Sequence, residues 1–203
     1  MIRLFVGLAL PDALRDALAG LHAPIPGARW VPRENLHLTL HFIGEVDGHM
    51  AEEAAVALGH VDAEAFALTV EGVGQFGSRG RVRALWAGAA RNEALERLQG
   101  QVESACRRLG LGGDGRRFLP HVTLARCPDL PEMRVAPFFA AHSGFAAPPA
   151  EIEAFALFSS TLGSGGPVYR VEASYPLAGG AGRWAELAAE WADTDGADGA
   201  IGG

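Results

Sequence analysis

The chain contains no lysine: all 17 of its basic residues are arginine, set against 24 acids for a formal net charge of -7. That balance does not suit a protein that coats long nucleic acid, because such binding draws on many cationic contacts to phosphate. It leaves open the recognition of a single phosphate, for which the planar guanidinium fork is well shaped. The charge is also uneven. Five acids (Glu186, Glu190, Asp193, Asp195, Asp198) and one base (Arg183) follow residue 180, leaving 16 arginines against 19 acids before it. Arginines cluster at Arg79, Arg81 and Arg83 and again at Arg107, Arg108, Arg116, Arg117 and Arg126, as positive patches or as solvated faces.

Cysteine is nearly absent. Cys106 and Cys127 stand 21 positions apart with no CxxC or ligand-like spacing, so they read as reduced structural thiols and suggest neither zinc nor a disulfide. No run of about 18 apolar residues occurs, and the opening MIRLFVGLALPD meets Pro11 and Asp12 before a signal-peptide pattern completes. The expectation is a cytoplasmic protein with no membrane partner that folds as a monomer. Its 203 residues, 49% hydrophobic, suffice for one sizeable domain or two small lobes.

The hydrophobic pattern alternates between strands and helices. Ile2 to Leu8 predicts a strand, and Pro11 sits where a helix can begin, with Leu14, Leu18 and Leu21 spaced for one face. From Asn35 to Ile43 the pattern has period two, with Leu36, Leu38 and Leu40 on one face and His37, Thr39 and His41 on the other. A helix around Met50 to Leu58 follows. Strand-like runs at Ala65 to Val70 and Val82 to Ala87 flank GVGQFGSRG, which reads as a glycine-rich turn. Leu95, Leu98, Val102 and Leu109 predict a long helix from about Arg91, stopped by Gly110. Then come a strand Leu119 to Arg126, an ambiguous apolar stretch near Val135 to Ala141, and strands Ile152 to Thr161 and Val168 to Tyr175 joined as a hairpin by GSGGP. A short helix near Trp184 to Trp191 leads into DTDGADGAIGG, which is too poor in apolar side chains to pack. The division expected is a two-lobed domain over 1–180 and a short helix with a disordered acidic tail over 181–203.

One internal echo stands out. NLHLTLHF at 35–42 and LPHVTLAR at 119–126 share His-x-Thr-Leu in similar strand settings, which suggests two related halves facing each other. In a strand the His and Thr of such a motif point to one face, so two facing copies present two imidazoles and two hydroxyls to one anion. Displacement at phosphorus needs a base for the attacking oxygen and an acid for the leaving one, and histidine serves as either near neutral pH. Arg126, five residues after His121, is the nearest cation for the phosphate. A lone strand histidine is usually just a satisfied polar residue; duplication sets His37 and His121 apart, while His22, His49, His60 and His142 read as surface or helix-end residues. His41 shares the parity of His37 and reads as a bystander on the cleft rim. Tyr169 reads as hairpin packing that borders the site at most, and Trp30 and Trp86 as core.

The segments FVGLALP, NLHLTLHFIGEV, the strand with Leu85 and Trp86, PHVTLAR and LFSSTLGSGGPVYRV, in that order, resemble the 2H phosphoesterases. Within them the chain is most similar to the bacterial and archaeal RNA 2',3'-cyclic phosphodiesterases, also called 2'-5' RNA ligases. The resemblance spans about residues 1–178 and implies an α+β fold of two pseudo-symmetric lobes. Each lobe would be an antiparallel sheet with outer helices, the two forming a V-shaped cleft with one HxTx motif on each sheet. It also implies roles. His37 would be the acid that protonates the departing 3' oxygen, and His121 the base that activates water. Thr39 and Thr123 would hold phosphate oxygens, and Arg126 would bind phosphate and flank the base. Phe42 matches a position that stacks on the nucleobase, although strict alternation turns it toward the core unless the strand bends near His41. The implied reaction hydrolyses terminal 2',3'-cyclic phosphates on RNA ends or small cyclic nucleotides to 2'-phosphates, without cofactor or metal. Its reverse would be an ATP-independent 2'-5' ligation.

Two rivals belong to other classes. A metal-dependent phosphodiesterase needs clustered carboxylates and histidines, and neither motif has an HD or DxH pair beside it. A non-catalytic nucleotide- or RNA-binding module would keep the cleft without turnover, and the intact pair of histidines weighs against it.

Overall fold

In the computed structural model, which describes residues 1–113, 115, 117–163 and 166–180, strand β1 (Ile2–Ala9) leads at Pro11 into helix α1 (Asp12–Ala19). The proline ring presets the φ of -60° that the turn into the helix needs, and Leu14 and Leu18 bury the helix's inner face. Strand β2 (Arg29–Trp30) and a 3-10 turn at Arg33–Asn35 bring the chain to β3 (His37–Val46). Helix α2 (Gly48–Leu58) starts where the Asp47 carboxylate accepts from the Met50 N–H at 2.8 Å. After β4 (Phe66–Leu68), β5 (Val70–Ser78) and β6 (Arg81–Ala89) comes α3 (Glu93–Arg108), capped in the same way by Asn92 on the Leu95 N–H. Its apolar stripe of Leu95, Leu98, Val102 and Cys106 is buried, and it ends at Gly110, whose φ of +74° suits glycine. Strand β7 (His121–Pro131), helix α4 (Glu132–His142), β8 (Ala150–Ile152), β9 (Ala154–Gly163) and β10 (Gly166–Pro176) complete the order.

The large sheet runs β10-β9-β1-β3-β7-β6-β5, with β2 also against β7, and β4 pairs separately with β8. Its pairings are antiparallel. Between β3 and β7 a single residue pair, Leu38 opposite Val122, holds the two sides together, so the sheet is two half-sheets meeting at one point. One is β10-β9-β1-β3; the other is β7-β6-β5 with β2. Leu4, Val6, Leu38 and Leu40 from the first and Val82, Leu85, Val122 and Leu124 from the second share one core with the apolar faces of the helices. Helices α2 and α3 lie over β1 and β3, and α4 over β5 and β7. This is the two-lobed α+β arrangement that the motif echo leads one to expect. No helix among the described residues is long and apolar enough to cross a membrane.

Two segments differ from their sequence reading. Of the glycine-rich stretch expected as a turn, residues 72–78 belong to strand β5, paired with β6, and only Arg79 and Gly80, both at positive φ, make the turn. Gly74 answers to close approach instead: a Cβ there would stand 2.2 Å from the Trp86 ring, so only glycine lets the indole lie across the strand. The ambiguous stretch near Val135 is helix α4, which forms despite an internal Pro137 because Val135 and Phe138 bury against the second half-sheet. The expected helix near Trp184 to Trp191 and the acidic tail lie outside the described residues.

Candidate active site

The site is built around the joint. Leu38 and Val122, opposite one another, are fully buried on the core face, so the residues on either side of them in each strand point to the opposite face. Continuing the register by one residue each way sets His37 opposite Thr123 and Thr39 opposite His121. In such a ladder directly opposed side chains start about 5 Å apart and diagonal ones about 7–8 Å apart. The imidazoles therefore occupy one diagonal of a four-cornered frame and the hydroxyls the other. An anion of phosphate size placed in the middle would have one histidine on each of two opposite sides.

Immediately after each threonine the strand takes in an extra residue. On β3 the register passes from Thr39 opposite Gly7 to His41 opposite Val6, skipping Leu40. On β7 it passes from Thr123 opposite Trp86 to Ala125 opposite Leu85, skipping Leu124. A bulge of this kind reverses the inside-outside parity of everything beyond it. The consequence at His41 corrects the alternating pattern: it is 6% exposed, and its Nε2 lies 2.8 Å from the Leu111 carbonyl beneath the end of α3. The same reversal carries Phe42 out to the cleft face, where it is 59% exposed and its ring centroid lies 6.0 Å from that of Phe5. Arg126, which strict alternation from His121 would turn inward, is likewise exposed. Phe42 and Arg126 thus hold equivalent places on the two half-sheets. Gly7 gives room for the first bulge, since a Cβ there would stand 2.8 Å from the Leu38 carbonyl oxygen.

The two histidines are held alike. Nδ1 of His37 lies 2.7 Å from the Asn35 carbonyl, and Nδ1 of His121 lies 2.7 Å from that of Leu119. A carbonyl only accepts, so Nδ1 carries the hydrogen in each ring and Nε2 is left for the cleft. Asn35 is itself fixed by donating from Nδ2 to the Pro167 carbonyl at 3.1 Å, which ties the β9-β10 hairpin to the first motif. Aromatic rings surround both imidazoles. His37 sits 4.8 Å from Phe5, 5.0 Å edge-on from Tyr169 and 6.1 Å from Phe158; His121 sits 4.8 Å edge-on from Phe76 and 6.2 Å from Trp86. Loss of water around the ring pushes the pKa of His37 down to about 4, with the charges of Arg126 and His121 adding to the effect. Burial lowers that of His121 as well.

These contacts revise the reading of one aromatic: Trp86 is half-buried on the cleft face, not in the core. Tyr169 packs in the hairpin against Phe5 and Phe158 and lies beside His37, and Trp30 does pack against the core. Phe5 and Phe76 flank the histidines without having been singled out in the sequence, because their relation to His37 and His121 depends on which strands become neighbours. The other histidines lie elsewhere: His49 near Glu53, His60 on the Val56 carbonyl, His22 against Trp30 and His142 against Phe138. Among the described residues no three His, Cys, Asp or Glu side chains gather as a set of metal ligands.

A family pattern described as LigT like Phosphoesterase matches residues 8–86 and 89–169, with one His-x-Thr motif in each segment. An RNA 2',3'-cyclic phosphodiesterase of Thermus thermophilus is 35% identical over 90% of this chain and 93% of its own length. One from Geobacillus stearothermophilus is 36% identical over 60% of this chain, a match that spans 41% of that relative. Among solved structures, that of E. coli LigT complexed with 3'-AMP superimposes with a TM-score of 0.71 at 27% identity, covering 87% of this chain and 98% of the other. With the fold, the doubled motif and these matches in agreement, the chain belongs to the LigT-like phosphoesterase family.

Proposed function

We propose that the protein hydrolyses terminal 2',3'-cyclic phosphates of RNA or nucleotides to 2'-phosphates, with His37 and His121 as the proton-transfer pair and residues 1–180 as the working unit. The observation that supports this reading is the Leu38–Val122 pair, next to which each half-sheet carries one of the two histidines, with the charge of His121 felt at His37. The names of the relatives, RNA 2',3'-cyclic phosphodiesterases, and the 3'-AMP held by the E. coli structure supply the substrate class.

With Nδ1 engaged, Nε2 of neutral His121 takes a proton from water as the water oxygen attacks phosphorus. The 3' oxygen leaves on the far side and receives a proton from Nε2 of His37. At rest His37 is neutral; the arriving phosphate anion offsets the burial of its ring and charges it. The hydroxyls of Thr39 and Thr123 donate to the non-bridging oxygens, and Arg126 balances their charge. Phe42 and Arg126, facing inward from the two half-sheets, close on the base from either side. The ring strain and ester bond of the substrate already hold the activation, so a 5'-hydroxyl in place of water yields a 2'-5' linkage without ATP.

The test is turnover of a panel of 2',3'-cyclic and 2'-5' linked substrates in excess EDTA, with the product phosphate located by NMR. We expect activity to survive EDTA and to give 2'-phosphates. His37→Ala and His121→Ala should each lower kcat by about 10² to 10⁴, and the double variant should be little worse than the poorer single one. An aryl phosphodiester, whose leaving oxygen needs no proton, should rescue His37→Ala far better than His121→Ala. Loss of activity in EDTA, a 3'-phosphate product or additive losses would reject the scheme, and binding without turnover would mark a non-catalytic module.

A further inference from the structure

Strand β2 is two residues long and places Arg29 opposite Arg126, with Trp30 opposite Ala125. Opposed residues in an antiparallel pair share a face. Trp30 and Ala125 belong to the core, so Arg29 and Arg126 both stand on the cleft face, and both are exposed. Some of the other arginines have acidic partners: Arg33 pairs with Asp12 and Asp16, Arg81 and Arg83 with Asp129, and Arg107 with Glu103, while among the described residues Arg3, Arg79, Arg108 and Arg134 form no ion pair. Among the described residues neither the Arg29 nor the Arg126 side chain has a hydrogen-bond or ion-pair partner. On its other side Arg126 is opposite Ala84, a side chain too short to screen it. Like charges directly opposite one another weaken a strand pair. Here they are built into one of the two residue pairs that hold β2 against β7, and an anion at Arg29 offsets that repulsion.

The frame of histidines and threonines accounts for one phosphate, and Arg126 faces Phe42 across the base. Arg29 has no part in either. Across the bulge at Leu124, Arg126 lies two ladder steps beyond Thr123 (Trp86 to Ala84 on the partner strand), about 7 Å along the strand, which one nucleotide unit and the length of an arginine side chain together close. Resting on the proposed cyclic-phosphate site, we infer that Arg29 binds the phosphate on the 5' side of the terminal nucleotide, so that the cleft distinguishes an RNA end or a 5'-phosphorylated nucleotide from a bare nucleoside cyclic phosphate. The ligand is a second phosphate oxyanion, bound by a guanidinium fork without contact to the base, so the preference is for phosphate and not for sequence.

The test compares kcat/KM for a nucleoside 2',3'-cyclic phosphate with and without a 5'-phosphate, in the parent protein and in Arg29→Met, which keeps most of the apolar stem. The parent should favour the 5'-phosphorylated substrate, and Arg29→Met should cut that ratio about tenfold, chiefly through KM, with Arg29→Lys restoring part of it. Titration calorimetry runs the same comparison on binding alone, with a nucleoside 3',5'-bisphosphate against the 3'-monophosphate, and thermal melts confirm that the variants fold. A ratio that stays the same in Arg29→Met, whether or not both substrates lose activity equally, overturns the assignment; an equal loss would place Arg29 on the reacting phosphate. If the parent turns over neither substrate, the hydrolytic reading fails, and the calorimetric ratio still decides the role of Arg29.

Discussion

A histidine that titrates near 6.5 when unfolded is held at about 4 in this fold at His37, and that difference ties acidity, stability and ligand binding together. As pH falls, the unfolded chain takes up its proton first, so the folded state loses ground between about 6.5 and 4. Above about 6.5 the contribution is intact; below about 4 the loss is complete. At about 1.36 kcal/mol per pKa unit, the displacement from 6.5 to about 4 amounts to roughly 3 kcal/mol. The perturbation that isolates it is His37→Gln, which removes the titrating ring but keeps a polar side chain. Urea unfolding of parent and variant at pH 7 and at pH 4 should show the parent losing about 3 kcal/mol more than the variant, the carboxylates and His121 being common to both. A negative ligand acts in the opposite sense. Inorganic phosphate in the frame favours the imidazolium, so the His37 Cε1–H resonance should titrate at higher pH with phosphate present, and phosphate should bind with proton uptake. A free-protein midpoint at or above 6.5, equal acid sensitivity of parent and variant, or a midpoint unmoved by saturating phosphate would refute the reasoning.

Two further outcomes follow from the cleft walls. Phe42→Ala should weaken nucleotide binding by about 1–3 kcal/mol for all four bases alike, since stacking does not discriminate; unchanged KM and kcat would leave the ring without a role. Gly74→Ala would put a methyl 2.2 Å from the Trp86 ring, so the indole must leave its place beside His121. A lowered kcat with a shifted tryptophan emission is expected, and an unchanged spectrum with full activity would show that the floor under His121 is not needed.

The parts of the site that follow the strand period were legible in the sequence. His37 with Thr39, and His121 with Thr123, share a face because they are two residues apart, and the repetition of the motif tied two distant segments to one task. The frame was readable for that reason. What lay beyond each threonine was not, because the bulges at Leu40 and Leu124 reverse the parity, and nothing within TLHF or TLAR announces them. Their room comes partly from Gly7, a residue of a different strand. His41 was misplaced on that account, and Phe42 was left between two faces. In the glycine-rich stretch at 72–80 the turn is confined to Arg79 and Gly80, and residues 72–78 were mistaken for part of it because the reason for Gly74, the bulk of Trp86, is contributed by the neighbouring strand. The Arg29–Arg126 pair is likewise invisible without the pairing of β2 and β7.

The single pair of residues that joins the half-sheets also sets how the cleft responds to being pried apart. Leu38 and Val122 are the fulcrum. His37 lies one residue from it, about 3 Å along its strand, whereas Phe42, beyond the bulge at Leu40, lies three ladder steps away, about 10 Å. A relative tilt of about 10° between the lobes would shift the imidazole by roughly 0.6 Å and the phenyl ring by about 1.7 Å, in proportion to these lever arms. On the proposed reading, the proton-transfer pair, which tolerates little misplacement, is thus mounted at the axle, and the ring that must admit purines and pyrimidines of different size is mounted at the jaws.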